Sequence, residues 1–95
     1  MSLAASQCRL IMLTRYKSDL EYGMQMISQK RTVLAYQAQE SAEKHPELAA
    51  KFHTMDKQLE AKMRTLDTQY KVVSQESTSV QKMVDDHAKK DFKYA

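Results

Sequence analysis

Only one Gly, one Pro and one Cys occur in the 95 residues, and Trp is absent. One Gly and one Pro cannot supply the turns that several strands or βα units need, which excludes all-β and doubly wound α/β folds. A single Cys excludes an internal disulfide. Long apolar runs are also missing. The longest strongly apolar stretch, Leu10-Ile11-Met12-Leu13, falls far short of the ~20 residues of a membrane span. With Arg9 before it and Arg15 after it, the run does not read as a signal-peptide core. The expected location is therefore cytoplasmic, or outside the cell without a cleaved signal peptide.

Charge of one sign is not concentrated anywhere. Fifteen basic and 12 acidic residues give a net charge of +3. The first 45 residues carry six basic and four acidic groups, and the remainder nine and eight. Both halves are mixed, and the longest basic clusters are the pairs Lys30-Arg31 and Lys89-Lys90. A nucleic-acid binder usually shows a one-sided basic block, so no nucleic-acid partner is expected. The sequence pI near 9.0 is the one feature leaning toward anionic surfaces.

What is present is helical patterning. The hydrophobic fraction is 42% and the charged fraction 28%, with a mean hydropathy of −0.67. Ser6, Leu13, Leu20, Ile27, Leu34 and Ser41 recur every seven residues. Leu3, Leu10, Lys17, Met24, Arg31 and Ala38 form the companion series. Together they make one narrow apolar stripe, interrupted by Lys17 and Arg31. Ser2 or Ser6 can cap its start. Gly23 lies inside the pattern, either as a loose spot or as a point of close approach to a neighbouring helix.

The run breaks at Glu43-Lys44-His45-Pro46-Glu47. Pro disfavours helical geometry in the residue before it and is well placed at the first position of a new helix. Glu47 then suits the positive N-terminal end. This reads as a tight reversal, with a long bent helix as the alternative. A second stripe follows: Leu48, Phe52, Met55, Leu59, Met63, Leu66, Tyr70, Val73, Val80 and Val84. Ser74-Gln75-Glu76-Ser77-Thr78-Ser79 weakens its middle, and a kink or frayed segment is expected there.

The predicted fold is all-α: two long antiparallel helices forming a coiled-coil-like helical hairpin over residues 1–95. The first helix covers about 3–44, the turn about 44–47 and the second helix about 47–91. The intramolecular seam is assigned to Leu13, Leu20, Met24, Ile27, Leu34, Phe52, Leu59, Leu66, Val73 and Val80. Tyr16, Tyr22, Met26, Val33, Tyr36, Val72 and Met83 lie off the seams. Extra apolar faces on a thin hairpin imply an oligomer or a partner. Tyr22, Met26, Tyr36, Met83, Phe92 and Tyr94 are the candidate intersubunit contacts. Lys17 and Arg31 are expected to pair with acidic groups of a neighbouring copy, Glu60 or Glu76.

Signatures of catalysis are weak. His53 with Asp56, and Asp86 with His87 and Asp91, could share helix faces, but His-Glu-x-x-His is absent. Solvated polar faces explain these residues, and no metal or other cofactor is expected. Cys8 has Arg9 beside it but no nearby His, and a thin hairpin offers no pocket that excludes water. Cys8 is read as a small buried filler in preference to an exposed thiol. Most of the seven Met residues, among them Met12, Met24, Met26, Met55, Met63 and Met83, are read as adaptable filler; the alternative is a plastic binding surface. The Tyr residues are too dispersed, with Arg15, Lys17, Lys30 and Lys93, to form a base-stacking platform.

The run Leu3-Ala4-Ala5-Ser6-Gln7-Cys8-Arg9-Leu10, with Leu13-Thr14 and Lys17-Ser18-Asp19-Leu20-Glu21, resembles the start of small bacterial helical-hairpin proteins. The ending Asp91-Phe92-Lys93-Tyr94-Ala95 shares that resemblance. In architecture the chain also resembles type III secretion needle subunits. They share its size and its helix–turn–helix order with Pro in the turn (here Lys44-His45-Pro46-Glu47), and their important C-terminus is matched here by an aromatic one. It is more distantly similar to the helical hairpins exported by type VII systems, without their Trp-x-Gly turn. These resemblances imply a non-enzymatic subunit that self-assembles into a filament or tube, with itself and secretion-system proteins as partners. The alternative expectation is a helical adaptor or secretion chaperone that binds a partner's helix.

Overall fold

The structure, a computed structural model, describes residues 2–94, with side chains through Phe92. It is all-α. Helix α1 spans Leu3–Ser41 and helix α2 spans Pro46–Tyr94. The two pack as a helical hairpin, and no strand occurs among the described residues. By internal packing the chain divides into two compact units. Unit 1 joins the α1 segment ending at Leu20 to the α2 segment beginning at Gln69, and unit 2 is Glu21–Thr68.

Local chemistry sets the helix ends. Ser2, not Ser6, caps α1: the Ser2 Oγ accepts from the Ala5 N–H at 3.1 Å. The Ser2 carbonyl accepts from the Ser6 N–H at 2.9 Å. At the other end, α1 stops at Ser41, three residues before the expected 44. The His45 N–H still reaches the Ser41 carbonyl at 2.8 Å. His45 then turns the chain, because the ring of Pro46 disfavours helical geometry in the residue before it. The His45 carbonyl opens α2 by accepting from Leu48 and Ala49 N–H at 3.0 and 3.1 Å. Pro46 occupies the first position of α2, where a missing N–H costs nothing. Glu47 supplies the acidic group of its first turn.

The Ser/Thr-rich stretch 74–79 does not interrupt the helix. Helix α2 runs through it. The Thr78 hydroxyl donates to the Ser74 carbonyl at 2.9 Å, satisfying itself within the helix. Thr54, Thr65 and Thr68 on α2 do the same to the carbonyl four residues back. Val73 and Val80, on either side of the stretch, are both buried.

The seam follows the heptads on both helices. On α1 all twelve positions of the two series are buried or half-buried, and Gly23 is the one addition. Leu20, Ile27, Leu34 and Ala38 are its buried apolar members. On α2 the stripe differs from the expected one in its first turns. It passes through Ala49, Phe52, Asp56, Leu59, Met63, Leu66, Tyr70, Val73, Ser77, Val80, Val84 and His87. Leu48 and Met55 stand outside it, each 41% exposed. The physical reason is phase. Each is one position N-terminal to a true seam residue, so each points about 100° away from the partner helix. Small Ala49 faces inward beside the turn, and Asp56 faces inward because Arg31 is opposite.

Candidate protein-interaction surface

The hairpin has a polar lock on its seam and apolar groups off it. In unit 2, the Arg31 Nε donates to the Asp56 carboxylate at 2.9 Å, and a second guanidinium nitrogen reaches its other oxygen at 3.5 Å. The same Arg31 approaches Glu60 at 3.7 Å, and Glu60 approaches Arg64 at 3.9 Å. The Arg31 hydrogen bond holds the Asp56 carboxyl below its ordinary range, opposing partial burial. The same bond raises the Arg31 guanidinium further. Arg31 therefore has its acidic partners within its own chain. In unit 1, Glu76 is likewise taken within the chain, by Arg9. Lys17 lies over the Tyr70 ring, with its Nζ 5.4 Å from the centroid, as a cation–π pair.

The other assigned seam residues lie between the helices to differing depths. Leu20, Ile27, Leu34, Val73 and Val80 are buried, and Leu13, Met24, Phe52, Leu59 and Leu66 are half-buried. Of the candidate intersubunit contacts, Tyr22 is 65% exposed, Tyr36 62% and Phe92 88%. Met26 and Met83 are also among the exposed large apolar residues. The Tyr94 side chain lies outside the described residues. The Tyr36 hydroxyl donates to Glu40, which raises its pKa above the ordinary tyrosine value.

Two corrections concern sulfur. Cys8 is exposed, not a buried filler. It falls on the outer side of α1, two residues past the buried Ser6. The methionines divide as well: Met24 and Met63 are half-buried in the seam, whereas Met12, Met26, Met55 and Met83 are exposed. Filler is thus the minority role among these six.

Exposed apolar groups collect at two grooves. In unit 2, Met26, Val33 and Met55 wall an open groove of ≈ 730 Å³ whose base is Leu34 and Leu59. Lys30, Lys62, Gln29 and Gln58 complete its rim. In unit 1, Cys8, Met12, Leu13, Tyr16 and Val73 line one of ≈ 630 Å³, beside the Arg9 and Glu76 pair. Sequence reasoning counted Met55 in the apolar stripe of α2 and so missed the unit 2 groove. A signal was available in Arg31, because a seam cation asks for a seam anion on the other helix, and Asp56 supplies one beside Glu60.

Among the described residues, no three His, Cys, Asp or Glu side chains gather into a group that could hold a metal ion. No helix of the described residues is long and apolar enough to cross a membrane. No family model, curated protein or solved structure matches the chain.

Proposed function

We propose that this is a non-enzymatic structural protein that assembles with copies of itself, as a subunit of a helical filament or secretion-needle-like tube. The observation that carries the reading is α1, which has apolar side chains on two faces. One face enters the seam. On the other, Tyr22 and Tyr36 are exposed in unit 2, and Ile11 in unit 1. A helix apolar on more than one side is normally covered on more than one side. Five large apolar side chains are buried in the seam, and covering the second face of α1 with a neighbour would add to that burial. Contacts of this kind that do not close on themselves give open filaments. Light scattering at rising concentration tests the reading. It expects a mass that grows with concentration, and a constant monomer mass would remove it.

A second reading has its own observation. The unit 2 groove is walled by Met26 and Met55, and unbranched methionine side chains adapt to varied apolar partners. A helical adaptor or secretion chaperone would use such a groove to hold a partner's helix. Retention of one defined partner by a protein of fixed, small mass would favour this reading.

A further inference from the structure

We infer that the unit 2 groove receives the apolar face of an acidic amphipathic helix from a partner protein. The inference rests on the helix-binding reading above and adds the chemistry of the ligand. The groove is apolar along its base and walls, through Leu34, Leu59, Met26, Val33 and Met55. Its charged lining residues are Lys30 and Lys62, with no carboxylate among them. The acids nearest in sequence are already engaged: Asp56 holds Arg31, and Glu60 lies between Arg31 and Arg64. Lys30 and Lys62 make no ion pair among the described residues. An occupant that buries the apolar walls lies against both lysine side chains. Carboxylates flanking its apolar stripe would meet them; lysines or arginines there would be repelled.

The same charges argue against a second copy docked groove to groove. A two-fold contact would gather Lys30 and Lys62 from both chains around one apolar patch with no lining anion, a like-charge arrangement that disfavours the pairing. A small apolar ligand is also a poor fit. Small-molecule sites enclose most of their ligand, whereas Met26, Val33 and Met55 are all exposed. A helix needs only one face covered, with anchors at i, i+3 or i+4, and i+7.

Two labelled synthetic helical peptides of about 18 residues test this. Both carry the same Leu/Met stripe; one has Glu and the other Lys on its flanks. Fluorescence anisotropy would be read with the full chain, Met55→Asp and the double variant Lys30→Glu/Lys62→Glu, after circular dichroism shows each folded. The Glu-flanked peptide is expected to bind at least about tenfold more tightly than the Lys-flanked one, and to weaken with salt. The double variant is expected to reverse the preference, and Met55→Asp to weaken binding about tenfold or more. Equal affinity for both peptides, or a preference the double variant leaves unchanged, would overturn the acidic assignment while leaving helix binding in place. Binding of neither peptide by the folded full chain would overturn helix binding itself. A change in the protein's own sedimentation mass in the double variant would assign the groove to a second copy and overturn the inference.

Discussion

Arg31 on the seam face of α1 donates to Asp56 on the seam face of α2 at 2.9 Å. Opposite charges at one level of the seam favour this pairing of turns, because a slide by one heptad would set Ala49 or Met63 in the place of Asp56 opposite Arg31. The pair also sets a pH dependence. Arg31 depresses the Asp56 pKa in the folded state, below the ~3.9 of an unfolded Asp. Its stabilisation is complete above that value and is lost as pH falls through the folded one. Thermal melts followed by circular dichroism should therefore lose stability below about pH 4. Asp56→Asn should melt lower at neutral pH and respond less to acid. Arg31→Asp/Asp56→Arg should melt above either single change.

Ser6 is fully buried, at 0% exposure, and its hydroxyl has no hydrogen-bond partner among the described residues. A buried unsatisfied hydroxyl costs about 1–3 kcal/mol. Ser6→Ala removes the hydroxyl and improves helix propensity. It is expected to stabilise the fold by about 1 kcal/mol, measured by urea unfolding.

Gly23 is helical, and a Cβ placed there would sit 3.3 Å from Leu66 Cδ1. The close neighbour is the mobile end of a side chain, not the backbone of α2. Leu66 is half-buried and can yield by the few tenths of an ångström required. Gly23→Ala should then keep most of the about 1 kcal/mol that Ala gains over Gly in a helix. A raised melting temperature checks it; a lowered one would mean that Leu66 cannot move.

Ile27 and Met55 separate the seam from its flank. Ile27 is buried and Met55 is not. Ile27→Ala is expected to cost about 2–4 kcal/mol. Met55→Ala is expected to change stability by about 0.5 kcal/mol or less. Chemical denaturation of both variants checks the phase of α2 directly.

The sequence made the α1 seam legible because its seven-residue series hold Leu13, Leu20, Ile27 and Leu34, whereas the series one residue earlier, Met12, Met26 and Val33, is broken by Asp19. Helix α2 was harder at its start. Leu48 and Met55 are more apolar than Ala49 and Asp56, so hydropathy alone set the first turns one position early. Only the tertiary partner, Arg31, shows that Asp56 faces inward. The end of α1 was overestimated because no Gly marks it; the constraint comes from Pro46 acting on His45. Tyr22 and Tyr36 were readable as off-seam by spacing. The Lys30 and Lys62 rim was not, since it depends on which face of α2 lies beside Val33.

Sedimentation velocity over about a hundredfold range of concentration tests the central claim most directly. The wild-type chain would be run beside Tyr22→Asp/Tyr36→Asp, two exposed positions whose change should leave helicity intact. The account predicts that the wild type shifts to larger species as concentration rises and that the double variant stays small with the same circular dichroism spectrum. A wild-type monomer at every concentration, or equal assembly by both proteins, would contradict it.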